Sequence, residues 1–206
     1  MQPYLVGICG GSGSGKTYLL EKIKSRLPED QITIISQDNY YLPYEKQEKD
    51  AEGLVNFDHP KSVNLDQLYL DVQKLLRGEA YDLKEYTFNN PAASARTFHI
   101  KPAPIIILEG IFVYHHINLR KTINLKLFVE ADEHIRLIRR IRRDYEERGY
   151  SFDSVARDYE RFVAPMYHQF IGPMRSICDL IIPNNTALDT ACEVVIHHLE
   201  RELARS

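Results

Sequence analysis

Apolar and polar positions alternate along the chain in two distinct periods. Short, nearly continuous apolar runs rich in β-branched residues occur at Tyr4–Cys9, Ile32–Ser36, Ile105–Glu109, Leu125–Glu130 and Leu180–Pro183. Runs of this kind suit strands covered on both faces. Between them, the spacing of apolar residues predicts helices over Lys16–Leu27, Leu65–Arg77, Glu133–Arg148, Phe152–Phe170 and Leu188–Leu203. Strands alternating with helices predict an α/β fold, a five-stranded parallel sheet flanked by helices. The stretch from Asp82 to Pro104 breaks this rhythm with two strand-like pieces, Glu85–Phe88 and Arg96–Ile100, around an Asn/Pro/Ala/Ser loop. It is expected to form a small β-hairpin appended to the sheet. No repeat, low-complexity tract or long linker interrupts residues 1–206, so one domain is expected.

The turn between the first strand and the first helix carries the clearest chemistry. Five of the ten glycines, Gly7, Gly10, Gly11, Gly13 and Gly15, fall within nine residues. Gly10–Thr17, GGSGSGKT, fits G-x-x-x-x-G-K-[ST] in the required strand–turn–helix setting. Gly10, Gly11, Ser12, Gly13, Ser14 and Gly15 would turn backbone N–H groups toward phosphate oxygens, at the positive end of the following helix. Lys16 would reach the β- and γ-phosphates, and the Thr17 hydroxyl would ligate Mg²⁺. A plain flexible Gly/Ser turn explains the composition but not the flanking elements.

A phosphate loop alone does not separate a kinase from a GTPase switch or a motor. No N-K-x-D element for reading guanine occurs, and the D-x-x-G match at Asp50–Gly53 lies in a polar segment rather than at a strand end. Glu109, at the tip of the strand Ile105–Glu109, is placed to hold a magnesium-bound water. Asp38 follows the second strand in SQDNYY; it suits either a general base for an acceptor hydroxyl, sharing the metal with Thr17, or an Asx turn. In Asn56–Pro60, NFDHP, the Asp58 carboxylate could accept two vicinal sugar hydroxyls and Phe57 could pack on a ring, with His59 a loop histidine. Residues 134–148 hold six of the fifteen arginines. Arg136, Arg139, Arg140 and Arg143 recur at helical spacing, so a lid that brings guanidinium groups to phosphates competes with a merely solvated, ion-paired face.

Composition narrows the partners. The 206 residues carry 29 acidic and 26 basic side chains, a net charge of −3. That balance argues against nucleic acid or an anionic membrane as the main partner. Cys9, Cys178 and Cys192 are too few and too widely spaced for a disulfide framework or metal site. No apolar run approaches a membrane span, and MQPYLVGIC lacks a basic region ahead of an apolar core, so a cytoplasmic location is expected.

Taken in order, GGSGSGKT, SQDNYY, NFDHP, EYTF, LEGIF, FVEAD with IRRIRRDYEERG, and CDLIIP resemble the uridine kinase family of P-loop kinases, from about Tyr4 to Leu203. The resemblance implies a P-loop kinase fold with the hairpin of residues 82–104 as a substrate flap and residues 133–150 as an Arg-rich lid. It implies transfer of the γ-phosphate of ATP, or GTP, to the 5′-hydroxyl of uridine or cytidine, with Mg²⁺, in a homo-oligomer. It makes Asp38, Lys16 and Arg143 catalytic, and it places Asp58, Phe57, Tyr86, Phe88, Arg140 and Arg148 toward the substrate. Thr17, Asp38 and Glu109 become the metal set. The sequence departs from the family where a basic H-[ST]-R segment is replaced by Pro91-Ala92-Ala93, an Arg by Tyr150, and a Gln by Asp158. Buried polar pairing decides nucleoside choice, so a kinase of another sugar or small alcohol is the second expectation, and a nucleotide-binding regulator the third.

Overall fold

The computed structural model describes residues 2–87, 94–146 and 149–205. Five strands form one fully parallel sheet in the order β2-β5-β1-β6-β7, from β1 (Tyr4–Cys9), β2 (Ile32–Ser36), β5 (Ile105–Glu109), β6 (Leu125–Glu130) and β7 (Leu180–Pro183). All five lie where the apolar runs predict them. A separate antiparallel pair consists of β3 (Tyr81–Lys84) and β4 (Thr97–Ile100).

Both faces of the sheet are covered. On one side Val6, Ile8, Ile105 and Ile107 meet Leu19 and Ile23 of α1 (Lys16–Arg26) and Val195, Ile196 and Leu199 of α7 (Asp189–Leu203). On the other, Leu5, Ile106, Leu108 and Phe128 meet Leu68, Val72 and Leu75 of α2 (Leu65–Leu76) and Leu119 of α3 (Ile117–Thr122). Each fully buried aliphatic side chain in these layers contributes roughly 1.5–3 kcal/mol. Successive strands of a parallel sheet therefore need no polar face, which explains why their sequences do not alternate.

Three departures from the sequence reading have physical reasons. The first hairpin strand is Tyr81–Lys84, not Glu85–Phe88, because Tyr81 and Leu83 alternate into the core and the Tyr81 hydroxyl meets that of Tyr40 at 2.9 Å. YDLK and EYTF each alternate with period two, the phase shifting between Lys84 and Glu85, so period alone did not choose between them. Phe88, and the loop Pro91-Ala92-Ala93, lie outside the described residues, as does Arg148 beyond α4 (Glu133–Glu146). The long helix predicted over Phe152–Phe170 is broken into α5 (Phe152–Asp158), a π turn at Tyr159–Val163, α6 (Ala164–Met166), a second π turn at Tyr167–Ile171 and a 3₁₀ run to Ile177. Pro165 lacks the N–H that an α-helix would donate to the Arg161 carbonyl, and wider turns flank it. Helix α3 is too short to leave a periodic signal.

The strand tips are what the fold offers to function. From β1 the chain first builds β2 on one side, then returns through β5 and crosses to β6, opening a crevice at the carboxyl end of β1. Ile8, Glu109 and Ser36 share one level across β1, β5 and β2. Tyr114 braces the centre of this arrangement: its buried hydroxyl lies 2.6 Å from the Gly7 carbonyl of β1 and 2.9 Å from the Leu127 carbonyl of β6. Tyr114→Phe is therefore expected to lower unfolding free energy by about 1–2 kcal/mol in urea titrations. An unchanged midpoint would mean the hydroxyl does not brace the two strands.

Candidate active site

The crevice holds a cavity of about 590 Å³. Its walls include Ser12, Lys16, Thr17, Asp38, Asp58 and Glu109, together with Tyr41 and Phe57 and Arg139, Arg140 and Arg143 of α4. Residues separated by more than a hundred positions in sequence thus face one space.

The phosphate loop is held open by contacts behind it. Gly13 has φ +77°, and a Cβ there would sit 2.5 Å from the Arg136 carbonyl oxygen, so both conformation and space demand glycine. Asn184, just past β7 and buried, donates its amide to the Ser14 carbonyl at 2.7 Å. Lys16, also buried, donates to the carbonyls of Gly10 and Gly11 at 3.1 and 3.3 Å and lies 3.6 Å from a Glu109 carboxylate oxygen. The lysine is thereby folded back over its own loop and toward the strand tip where Glu109 stands.

Burial raises the Glu109 pKa above the ordinary carboxyl value; Lys16 opposes that shift, and the negative charge of Asp38 adds to it. Ser36 Oγ donates to Glu109 at 3.5 Å and accepts the Asp38 N–H at 3.3 Å. The turn Gln37–Tyr40 is therefore capped by Ser36 rather than by the Asp38 side chain, which faces the cavity. Among the described residues no group of three or more His, Cys, Asp or Glu is gathered to hold a metal ion. Thr17, Asp38 and Glu109 instead offer a hydroxyl and two carboxylates around open space, the sparse oxygen set that suits Mg²⁺ completed by phosphate and water.

At the other end, aromatic rings gather around Asp58. Tyr41 packs edge-on against Phe57 at 5.9 Å between ring centres and tilted against Tyr86 at 5.5 Å. Burial first, then Asp38 and Asp58, push the Tyr41 hydroxyl well above its ordinary pKa, so it stays a neutral donor. The Tyr86 N–H donates to the Asn39 side chain at 3.2 Å, tying the segment after β3 to the loop after β2. His59 accepts the Lys61 N–H through Nδ1 and packs on Phe170, a structural role as expected.

The arginine stripe divides in two. Arg139 and Arg143 reach the phosphate loop, donating to the Gly13 carbonyl and to Ser12 Oγ, each at 3.4 Å. Arg140 stands 3.6 Å from Asp58 and 3.3 Å from Asp144. Arg136 does not join them: it is 2% exposed, stacks 3.6 Å above the Tyr167 ring and donates to the Ala131 carbonyl. Asp144, which sits among these arginines in the sequence, is buried at 3% exposure and pairs with both Arg140 and Arg143. Neutralising neighbours of this kind let several guanidinium groups share a small volume. Sequence reasoning also missed Tyr41 and Asn184; the first stands in SQDNYY three residues after Asp38, and nothing in the sequence signals the second.

Comparison with known proteins agrees with this geometry. Residues 5–191 match the Phosphoribulokinase / Uridine kinase family. A uridine kinase of Lactobacillus helveticus is 39% identical, the match covering 98% of this chain and 96% of that protein. A uridine kinase of Streptococcus gordonii is 36% identical, with the same coverage of 98% and 96%. The fold is shared with a solved structure titled a "Possible Uridine Kinase" from Bacillus stearothermophilus (TM-score 0.60, 16% identity, 88% of this chain and 89% of that one). It is also shared with a D-glycerate 3-kinase from Cryptococcus neoformans (TM-score 0.60, 17% identity, 82% and 79%). No helix among the described residues is long and apolar enough to cross a membrane. A phosphate loop at the crevice of a five-stranded parallel sheet, under an arginine-bearing helix and matched in sequence over nearly its whole length, makes this chain a member of the phosphoribulokinase/uridine kinase family of P-loop kinases.

Proposed function

We propose that the protein transfers the γ-phosphate of ATP to the 5′-hydroxyl of a pyrimidine nucleoside, uridine or cytidine, with Mg²⁺. The observation that carries this reading is the continuity of one cavity from the phosphate loop to the Tyr41–Phe57–Asp58 wall, with Asp38 and Glu109 facing the same space. The relatives named above as uridine kinases support the choice of acceptor. Bound magnesium supplies charge neutralisation for the transferring phosphoryl group.

Each residue then has a task that its surroundings permit. Lys16 presents a positive charge at the loop, and Arg139 and Arg143 add guanidinium charge from the lid side. Asp38 accepts the proton of the acceptor hydroxyl, and Asp58 takes two sugar hydroxyls as donors. The Tyr41 and Phe57 rings give an apolar surface for a base or sugar, and Arg140 holds Asp58 in place. Thr17, Asp38 and Glu109 would hold the metal and its water. Tyr150 and Asp158, at two of the three places where the sequence departs from the family, also line the cavity. That observation keeps another ribose-type alcohol as the second reading.

A coupled assay across uridine, cytidine, ribose-type sugars and small alcohols should show turnover of a pyrimidine nucleoside; turnover of a sugar or alcohol alone would replace the substrate assignment. Asp38→Asn should lower kcat by about 10²-fold or more while ATP binding persists. Asp58→Asn should act mainly on the acceptor, raising its KM by about ten-fold or more as charge-assisted bonds are lost. The Glu109 titration gives a further check. Its raised folded pKa contributes stability below the ordinary value of 4.5, and that contribution is lost as pH rises through the folded value. Removing the Asp38 charge lowers that folded value, so Asp38→Asn should lose less stability than wild type between about pH 4.5 and neutrality. Parallel denaturation curves at every pH would show that the two carboxylates do not sense each other.

A further inference from the structure

Between β2 and α2 the chain throws out a small arm that the phosphoryl chemistry does not use. Lys49 and Val55 bridge its base in antiparallel fashion. Asp50 folds its tip, accepting the N–H groups of Glu52 and Leu54 on Oδ1 at 2.9 Å each, while its own N–H donates to the Leu54 carbonyl at 2.9 Å. The polar segment that holds the D-x-x-G match is therefore an ordered turn, and Gly53 supplies its positive φ of 80°.

The tip is gripped by a side chain more than a hundred residues further along the chain. Arg161 donates through Nη2 to Asp50 Oδ2 at 2.7 Å and through Nη1 to Glu52 Oε2 at 2.5 Å. Its side chain is 31% exposed and that of Asp50 29%, so the pair is half shielded. Hydrogen bonds from Leu54 and Glu52, and the nearby guanidinium, hold the Asp50 carboxyl below its usual range. Arg161 lies on the first π turn, so the break that Pro165 imposes on this helical run coincides with the residue that reaches the arm.

Both tethered segments lead directly to residues of the cavity wall. Phe57 and Asp58 follow the arm directly, and Val155 and Asp158 precede Arg161 by two turns and one; all four line the cavity. Arg161 is a two-pronged, charge-assisted tie between these segments.

We propose that Arg161 is a positioning residue for the acceptor: by clamping the Asp50–Glu52 arm it fixes the Phe57–Asp58 wall against the Val155–Asp158 wall. It sets acceptor affinity without entering phosphoryl transfer, and it rests on the acceptor reading given above. A lysine in its place is a single point charge and cannot hold both carboxylates.

Steady-state kinetics and amide hydrogen exchange test this together on the full chain. Arg161→Ala should raise KM for the nucleoside about five-fold or more and leave kcat and the KM for ATP within about two-fold. Arg161→Lys should fall between, and Arg161→Glu should be worse than alanine. Adding Glu52→Arg to Arg161→Glu should recover part of the loss. In the protein without ligands, the amides of Glu52 and Leu54 should exchange about ten-fold faster in Arg161→Ala than in wild type. Equal loss of kcat and of both KM values, no recovery in the double variant, or unchanged exchange would each overturn the clamp. A wild type that phosphorylates no acceptor would remove the functional reading instead, and the exchange result still decides whether the clamp exists.

Discussion

Everything at the site depends on β1 lying at the centre of a fully parallel sheet with both faces covered. Because the strands are parallel, each one delivers its carboxyl end to the same edge, and because β1 has neighbours on both sides, that edge folds into a crevice at its tip. The cross-strand register then does the fine placement. Ile8, Glu109 and Ser36 stand level, so the phosphate loop, the buried carboxylate and the turn bearing Asp38 leave the sheet at the same height. A slip of one residue in β5 would turn Glu109 into a side layer and take the carboxylate from the lysine.

The crevice concentrates charge, and the structure manages that charge locally. Glu109 is largely shielded, its side chain 14% exposed, and it stays near Lys16 at 3.6 Å with a hydroxyl from Ser36. Three lid arginines crowd one wall, and the buried Asp144 together with Asp58 offsets their repulsion while fixing their directions. Arg136 carries the same charge on the same helix but is spent on packing, since its ring stack on Tyr167 and its bond to Ala131 face the back of the phosphate loop. A uniform positive stripe in sequence therefore becomes a structural residue and three that face the cavity.

The polarity of the cavity changes along its length. The glycine-rich end presents backbone and cations; the other end presents rings and a carboxylate, held by contacts among elements distant in sequence. Tyr150 and Asp158 also line this cavity. The two ends are built from separate parts of the chain, so one can change without disturbing the loop.

What the sequence determined by itself was local. Continuous apolar runs set the five strands, because strands buried on both faces need no polar side chains; the glycine spacing set the phosphate loop, because only such a backbone curls around phosphate. Asp38, Glu109 and the arginines of α4 were legible because each adjoins a strand tip or repeats at helical spacing, and Asp58 because it stands beside an aromatic ring in the turn NFDHP. Tertiary structure decided the rest. It separated Arg136 from its neighbours, buried Asp144 and Asn184, moved the hairpin strand to Tyr81–Lys84, and broke the helix around Pro165. Each of those outcomes depends on what a side chain meets across the fold, and a residue's own neighbours in sequence carry no record of that.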